Sequence, residues 1–153
     1  RFLTLTKGTG VINRIFHGFG KFEGEMDGRK NGALISMSNG KAVAFAIFNL
    51  QARGEMFVTH NDPVYEGMIV GLAPKAGDMI INVMKGKQLT NMRTQGTDEN
   101  VVLTPVRQMS IAEQLSMLNT DEALEITPKS LRLRKAILNP TDRKKNEKSG
   151  TPL

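Results

Sequence analysis

Lys129-Ser130-Leu131-Arg132-Leu133-Arg134-Lys135 alternates apolar and basic residues with the two-residue period of a β-strand, setting Leu131 and Leu133 on one face and Arg132 and Arg134 on the other. Residues 122–126 and 130–137 read as a strand pair around Thr127-Pro128. Between positions 129 and 148 lie eight basic and two acidic residues, which accounts for the whole net charge of +6. A strand with two arginines on its open face, followed by Arg143-Lys144-Lys145, suits a polyanion better than a small substrate. The same pattern also fits a solvated edge strand that uses charge to block aggregation.

Working outward, the 153 residues are 39% hydrophobic, enough for a real core in one domain or one and a half. No apolar run approaches the roughly 18 residues of a membrane-spanning helix. Cys is absent, which removes disulfide and thiolate chemistry and fits a reducing compartment. The chain opens Arg1-Phe2-Leu3 with neither Met nor a signal-peptide pattern, and so reads as excised from a longer protein. Fifteen glycines imply many turns. Residues 1–8 read as a helix end stopping at Gly8, and 9–22 as a strand carrying Val11, Ile15 and Phe19. The polar, glycine-rich stretch 23–32 is the natural boundary. Residues 33–37 and 41–46 flank Ser38-Asn39-Gly40 as a hairpin would, and 48–53 suggest one helical turn closed by Gly54. Short strands follow at 55–58, 65–71, 79–84 and 101–104. Ser110 and Glu113 form a capping box for a helix reaching about Leu118, with Ile111, Leu115 and Leu118 as its apolar face. The methionines at 56, 68, 79 and 84 fall in strands and read as core filling, with a Met-rich docking surface as the alternative. The tail from Asn139 is expected to be mobile. The resulting class is α+β, predominantly β: a curved antiparallel sheet or open barrel with one or two short helices.

Catalytic chemistry finds no support. His17 and His60 are the only histidines and lack metal-ligand spacing, so no metal site is expected. His60 with Asp62 could orient a base, yet no Ser sits in an elbow motif. Asn39-Gly40-Lys41 fails as a phosphate loop, because Ala42 stands where Ser or Thr should bind magnesium and Ile35 where the first glycine is needed. Residues 85–97 differ in kind. Three cations, amides and hydroxyls lie between glycines on a long polar loop, the groups that bond phosphates, sugars and 2′-hydroxyls. With no aromatic ring there, backbone and shape recognition of folded RNA is the natural inference, against a solvent loop with incidental charges.

Lys87-Gln88-Leu89-Thr90-Asn91-Met92-Arg93, followed by Gly96-Thr97-Asp98-Glu99, resembles the signature loop of the BipA/TypA ribosome-associated translational GTPases. Residues 48–54 (Phe-Asn-Leu-Gln-Ala-Arg-Gly), 64–71 (Val-Tyr-Glu-Gly-Met-Ile-Val-Gly) and 125–135 match the family in the same order. The departures are Ala52, where an acidic residue is usual, and Gln88, where a Lys is common, which costs the loop one cation. The resemblance implies that residues 1–28 end a unit similar to domain V of elongation factor G, an α+β domain, that 29–138 are the family-specific C-terminal domain, and that 139–153 form a basic flexible tail. It implies a ribosome-binding module reaching toward the peptidyl-transferase centre, in contact with large-subunit rRNA and the acceptor arm of A-site tRNA, in a factor for translation regulation and large-subunit assembly under stress. The implied RNA contacts are Lys85, Lys87, Thr90, Asn91, Arg93, Thr94, Thr97 and Asp98 in the loop, with Lys129, Arg132 and Arg134 on the basic strand. A monomer in the bacterial cytoplasm, away from membranes, is expected. GTP and Mg would belong to the parent's upstream GTP-hydrolysing domain, leaving this chain without catalysis or cofactor. The competing expectation is a protein-interaction module that meets an acidic partner through the basic strand and tail.

Overall fold

The computed structural model describes residues 2, 6–21, 29–86 and 102–149. Its centre is a four-stranded sheet of order β3 (Glu55–Met56), β5 (Ile69–Leu72), β1 (Ala33–Ser36) and β6 (Met79–Ile81). β1 is buried along its whole length and takes partners on both sides: β5 antiparallel, with a register shift between Leu34 and Ile35, and β6 parallel. The parallel pair departs from the all-antiparallel sheet expected. It arises because the chain after β5 crosses over the start of β1 before entering β6. Gly32 permits the crossing: a Cβ there would lie 1.8 Å from the carbonyl oxygen of Gly77.

With both edges of β1 occupied, the hairpin expected around Asn39-Gly40 does not form. β2 (Gly40–Lys41) pairs instead with β4 (Pro63–Val64), while Asn39 Oδ1 accepts from the Glu66 backbone N–H at 2.8 Å. The chain then enters α1 (Ala44–Gln51), longer and earlier than the expected single turn. The spacing of Ala46, Ile47 and Leu50 buries one side of this helix. Strand alternation divides the core in two. Leu34 packs with Ile47, Leu50, Val70 and Val83 on the α1 side. Ala33, Ile35 and Ile69 meet Leu133 on the other. Met56 and Met68 are buried, and Met79 and Met84 pack against the first cluster, so the methionines fill the core.

The second face is covered by the hairpin β7 (Glu122–Ile126) and β8 (Leu131–Lys135), which pairs Ile126 with Leu131 and Glu122 with Lys135. Thr127 Oγ1 closes its turn, accepting from Ser130 N at 3.0 Å and donating to the Ser130 carbonyl at 2.8 Å. β8 docks where Lys135 N donates to the Gly67 carbonyl at 2.9 Å. Gly67, at φ +82, has no room for a Cβ beside Leu138. The short helix α2 (Ile111–Ser116) starts at the expected Ser110/Glu113 capping box. Its inward residue is Gln114, and Leu118 just past its end packs against the second cluster as expected, whereas Ile111 and Leu115 are about half exposed, which corrects two of the three residues of the apolar face read from sequence. Residues 102–104 are not a strand. Thr104 exchanges two hydrogen bonds with the Gln51 side chain, 2.8 and 3.1 Å, and that amide substitutes for a ladder partner. Residues 140–149, expected as a mobile tail, form a third helix, α3 (Pro140–Ser149), with Asn139 Oδ1 accepting from Thr141 N at 2.8 Å ahead of Pro140 at the first helical position.

Near the N-terminus Thr6 N bonds the Phe2 carbonyl at 2.9 Å and Gly8 adopts φ +82, a turn at the expected glycine; residues 1 and 3–5 of the expected helix end lie outside the described residues. The strand expected over 9–22 is absent from residues 9–21. No described strand pairs with them, and Val11, Ile15, Phe16 and Phe19 stand exposed, Phe19 completely.

Candidate functional site

The two faces of β8 separate as the alternation requires, but its charges have three different fates. Leu133 and Lys135 point inward, and Lys135 is 1% exposed. Its ammonium touches Asp78 Oδ2 at 2.5 Å, Asp121 Oδ2 at 2.6 Å and Glu122 Oε1 at 3.0 Å. Arg29 grips the same Glu122 with two nitrogens, at 2.7 and 3.1 Å. Burial alone would lower the Lys135 pKa; the three carboxylates outweigh it and hold it above its ordinary value. Burial would likewise raise Asp78, yet the Ala33 N–H and the Lys135 ammonium hold it below the usual carboxylate range. This cluster ties β8 to the central sheet and to the segment entering β1.

Arg132 faces outward and bonds Glu125 Oε1 at 3.0 Å, its partner directly across the hairpin. The other Glu125 oxygen accepts the Tyr65 hydroxyl. Desolvation first, then that bond to a carboxylate, pushes Tyr65 up to about 12. Arg134 donates to the carbonyls of Lys135 and Ala136 at 3.2 and 3.4 Å, and no described carboxylate pairs with it. Lys129, at the hairpin turn, is exposed and has no ion pair among the described residues.

Lys129 and Arg132 border a cleft of about 830 Å³ between the hairpin, the central sheet and the extended segment leading to α2. Phe57, Ile69, Met109 and Leu133 supply apolar lining. Arg107, which sequence reasoning passed over, adds a third cation, held loosely between Glu55 at 3.5 Å and Glu113 at 3.6 Å. Gln114 lines the same cleft. Neither residue carried a motif; only the fold brings them beside Lys129.

Of the other residues expected at the site, Lys85 is exposed and lines a separate hollow with Asn49 and Arg53, apart from this cleft. Lys87, Thr90, Asn91, Arg93, Thr94, Thr97 and Asp98 lie outside the described residues. His60 and Asp62 serve local structure. His60 Nδ1 accepts from Ala44 N at 3.2 Å at the start of α1, and Asp62 Oδ2 accepts from Thr59 N and Oγ1 at 2.7 and 2.9 Å.

Among the described residues no helix is long and apolar enough to cross a membrane. Comparison with known proteins shows where such a chain occurs. The TypA/BipA C-terminal domain family model matches residues 31–140. The chain is 47% identical over 153 residues to the large ribosomal subunit assembly factor BipA of Buchnera aphidicola subsp. Schizaphis graminum, which covers 99% of this chain and 25% of that protein. Against the proteins of the same description from Salmonella typhimurium and Escherichia coli K12 it is 46% identical over 145 residues, 94% of this chain and 24% of each. It therefore spans about a quarter of the length of the curated relatives it matches, and it belongs to the TypA/BipA C-terminal domain family.

Proposed function

We propose that this chain is the ribosome-binding module of a translational GTPase acting in large-subunit assembly and translation regulation, and that it holds large-subunit rRNA and the acceptor arm of A-site tRNA. The observation that carries this reading is near-half identity, along almost the entire chain, to proteins named large ribosomal subunit assembly factors. The charge distribution supports it. Lys129, Arg107 and Arg134 remain at the surface after folding, while Lys135, the most deeply placed cation of the basic strand, is spent on structure. The loop residues from Lys87 to Asp98 would add contacts to phosphate and sugar, with Lys85 at their base. Residues 1–28 belong, on this reading, to a domain V-like unit that precedes the module; the exposed apolar side chains of 9–21 fit a strand whose partners lie in that unit. GTP hydrolysis belongs to the parent protein, in the cytoplasm.

The test is sedimentation with 50S subunits over a salt series. Binding should weaken with salt at a slope of roughly 0.7–0.9 per phosphate neutralised. Arg93→Ala, or a Lys85/Lys87 double substitution to Ala, should reduce pelleting while leaving the melting curve unchanged. Unchanged pelleting in both variants defeats the RNA contacts assigned here. Binding that survives ribonuclease treatment favours an acidic protein partner instead.

A further inference from the structure

We infer that α3 is an ordered RNA contact, the outward arc of Lys144, Lys145 and Lys148 lying along phosphates of large-subunit rRNA. The inference rests on the RNA-binding reading and adds to it a surface outside the loop and the basic strand.

No core holds α3 in place. Apart from the Pro140 ring it has no aliphatic or aromatic side chain, and none of its residues is buried. It is held through its entry instead. Arg134 Nη1 donates to the carbonyls of Lys135 and Ala136, and Arg143 Nη1 donates to those of Ile137 and Leu138 at 3.0 and 2.6 Å. Two guanidinium groups thus take four successive carbonyls between β8 and α3. On the same strap Lys135 N and Ala136 N donate to the Gly67 and Asp121 carbonyls, each at 2.9 Å. A connection fastened in this way fixes the direction in which the helix leaves the hairpin.

Helical periodicity then sorts the charges. Arg143 and Asn146, three residues apart, turn toward the hairpin and border a small hollow with Asp121, Ile137 and Glu147. Lys144, Lys145 and Lys148 fall within an arc of about 100° on the opposite side, all exposed. Lys144 and Lys148 have no ion pair among the described residues. Lys145 meets Asp142 at 3.5 Å, an exposed pair that costs little to open. The helix dipole accounts for Asp142 in the first turn and Lys148 in the last, but not for Lys144 between them.

The make-up of this arc selects its partner. A protein interface needs an apolar or aromatic centre, and a helix lying on a membrane needs an apolar face. α3 offers neither. Contacts to phosphate need only cations. Lys144 and Lys148, one turn apart, stand about 6 Å from each other along the axis, so both can meet phosphates of a single strand.

Sedimentation of the chain over a salt series, with 50S subunits and in parallel with protein-free large-subunit rRNA, tests this. Lys144→Gln, Lys145→Gln and Lys148→Gln combined should weaken binding to both about tenfold at moderate salt. The salt slope should fall by about two to three counterions, with the melting curve unchanged. Asn146→Pro keeps every cation but interrupts the helix, and it should lose most of the same affinity. An unchanged slope in the triple variant overturns the proposal. Full affinity in Asn146→Pro overturns it as well, because the segment would then act as loose charge. A loss seen with 50S subunits but not with the bare rRNA overturns RNA in favour of an acidic ribosomal protein. If Arg93→Ala weakens pelleting and the triple variant does not, this inference falls alone. A chain that pellets with neither particle nor rRNA removes the RNA-binding reading and the inference with it.

Discussion

The two ends of β8 invite comparison because they carry the same kind of side chain into opposite surroundings. At its end, Lys135 is enclosed by Asp78, Asp121 and Glu122, with Arg29 completing the cluster. Just before its start Lys129 stands in solvent, and near its beginning Arg132 keeps a partly exposed pairing with Glu125. Only residues 130–134 separate a cation that can only hold the fold from one that is open to solvent. Sequence-level charge therefore overstates the binding surface. Folding withdraws Lys135 by supplying three carboxylates from two places in the chain, Asp78 and the adjacent pair Asp121-Glu122, and what remains basic between residues 129 and 148 sits around the cleft, at Arg134 and on α3.

The strongest way to break this contrast is Lys135→Ala. Removing one partner from a buried ion cluster strands the others, an effect of about 3–5 kcal/mol. Here the lower end applies, near ~3 kcal/mol, because Asp78 and Asp121 are partly open to water and Glu122 keeps Arg29. Urea unfolding followed by circular dichroism should show the loss. A change below about 1 kcal/mol would mean that the cluster is not what fastens the hairpin to the sheet. Arg29→Ala should cost less, about 2 kcal/mol, since Glu122 retains Lys135 and the Asn119 N–H.

A milder perturbation is pH. Asp78 is held below its ordinary value, so its contribution is complete above about pH 4 and disappears as pH falls through the lowered value. Lys135 is held above its ordinary value, so its contribution is complete below about pH 10 and disappears as pH rises further. Tyr65, pushed up to about 12, adds to the same alkaline limb: its bond to Glu125 is lost once the phenol ionises. The melting temperature should thus show a plateau from about pH 5 to 9 with shoulders on both sides. In Lys135→Met the alkaline shoulder should shrink to what Tyr65 supplies. If the shoulder is unchanged, Lys135 is not its source.

How far these differences could be read from residues alone depends on the range of the interaction. The hairpin was legible, because Thr127-Pro128 punctuates two alternating runs. Once Ile126 is set opposite Leu131, the register places Glu125 opposite Arg132 and Glu122 opposite Lys135, so both cross-strand pairs were latent in the sequence. Asp78 and Arg29 were not, since they reach Lys135 and Glu122 through tertiary packing. The capping box was equally local and equally visible. The supposed hairpin at Asn39-Gly40 failed for a non-local reason: β1 found better partners, 33 or more residues further on, than the strand next to it. Residues 9–21 have the apolar spacing of a strand, but a strand requires a neighbour, and none of the described residues provides one. Lys129 and Arg132 were recognisable as binding candidates from charge and alternation. Arg107 and Gln114 were not, because neither belongs to a pattern and only the cleft relates them.

The smallest expected effect sharpens the comparison most. Lys129→Ala removes an exposed cation with no described ion pair, so the melting temperature should stay within the scatter of surface substitutions, about 0.5 kcal/mol. Its consequence belongs to binding. One phosphate contact is worth about 1 kcal/mol or less at moderate salt, a several-fold weakening of 50S association, and the salt slope should fall by close to one counterion. Arg132→Ala separates the two behaviours within one residue. It removes a cation from the border of the cleft but also leaves Glu125 with Tyr65 alone, so it should lower stability as well as binding. If Lys129→Ala instead destabilises the fold while leaving the salt slope untouched, the lysine at the turn is structural like Lys135, and the distinction between the two ends of β8 disappears.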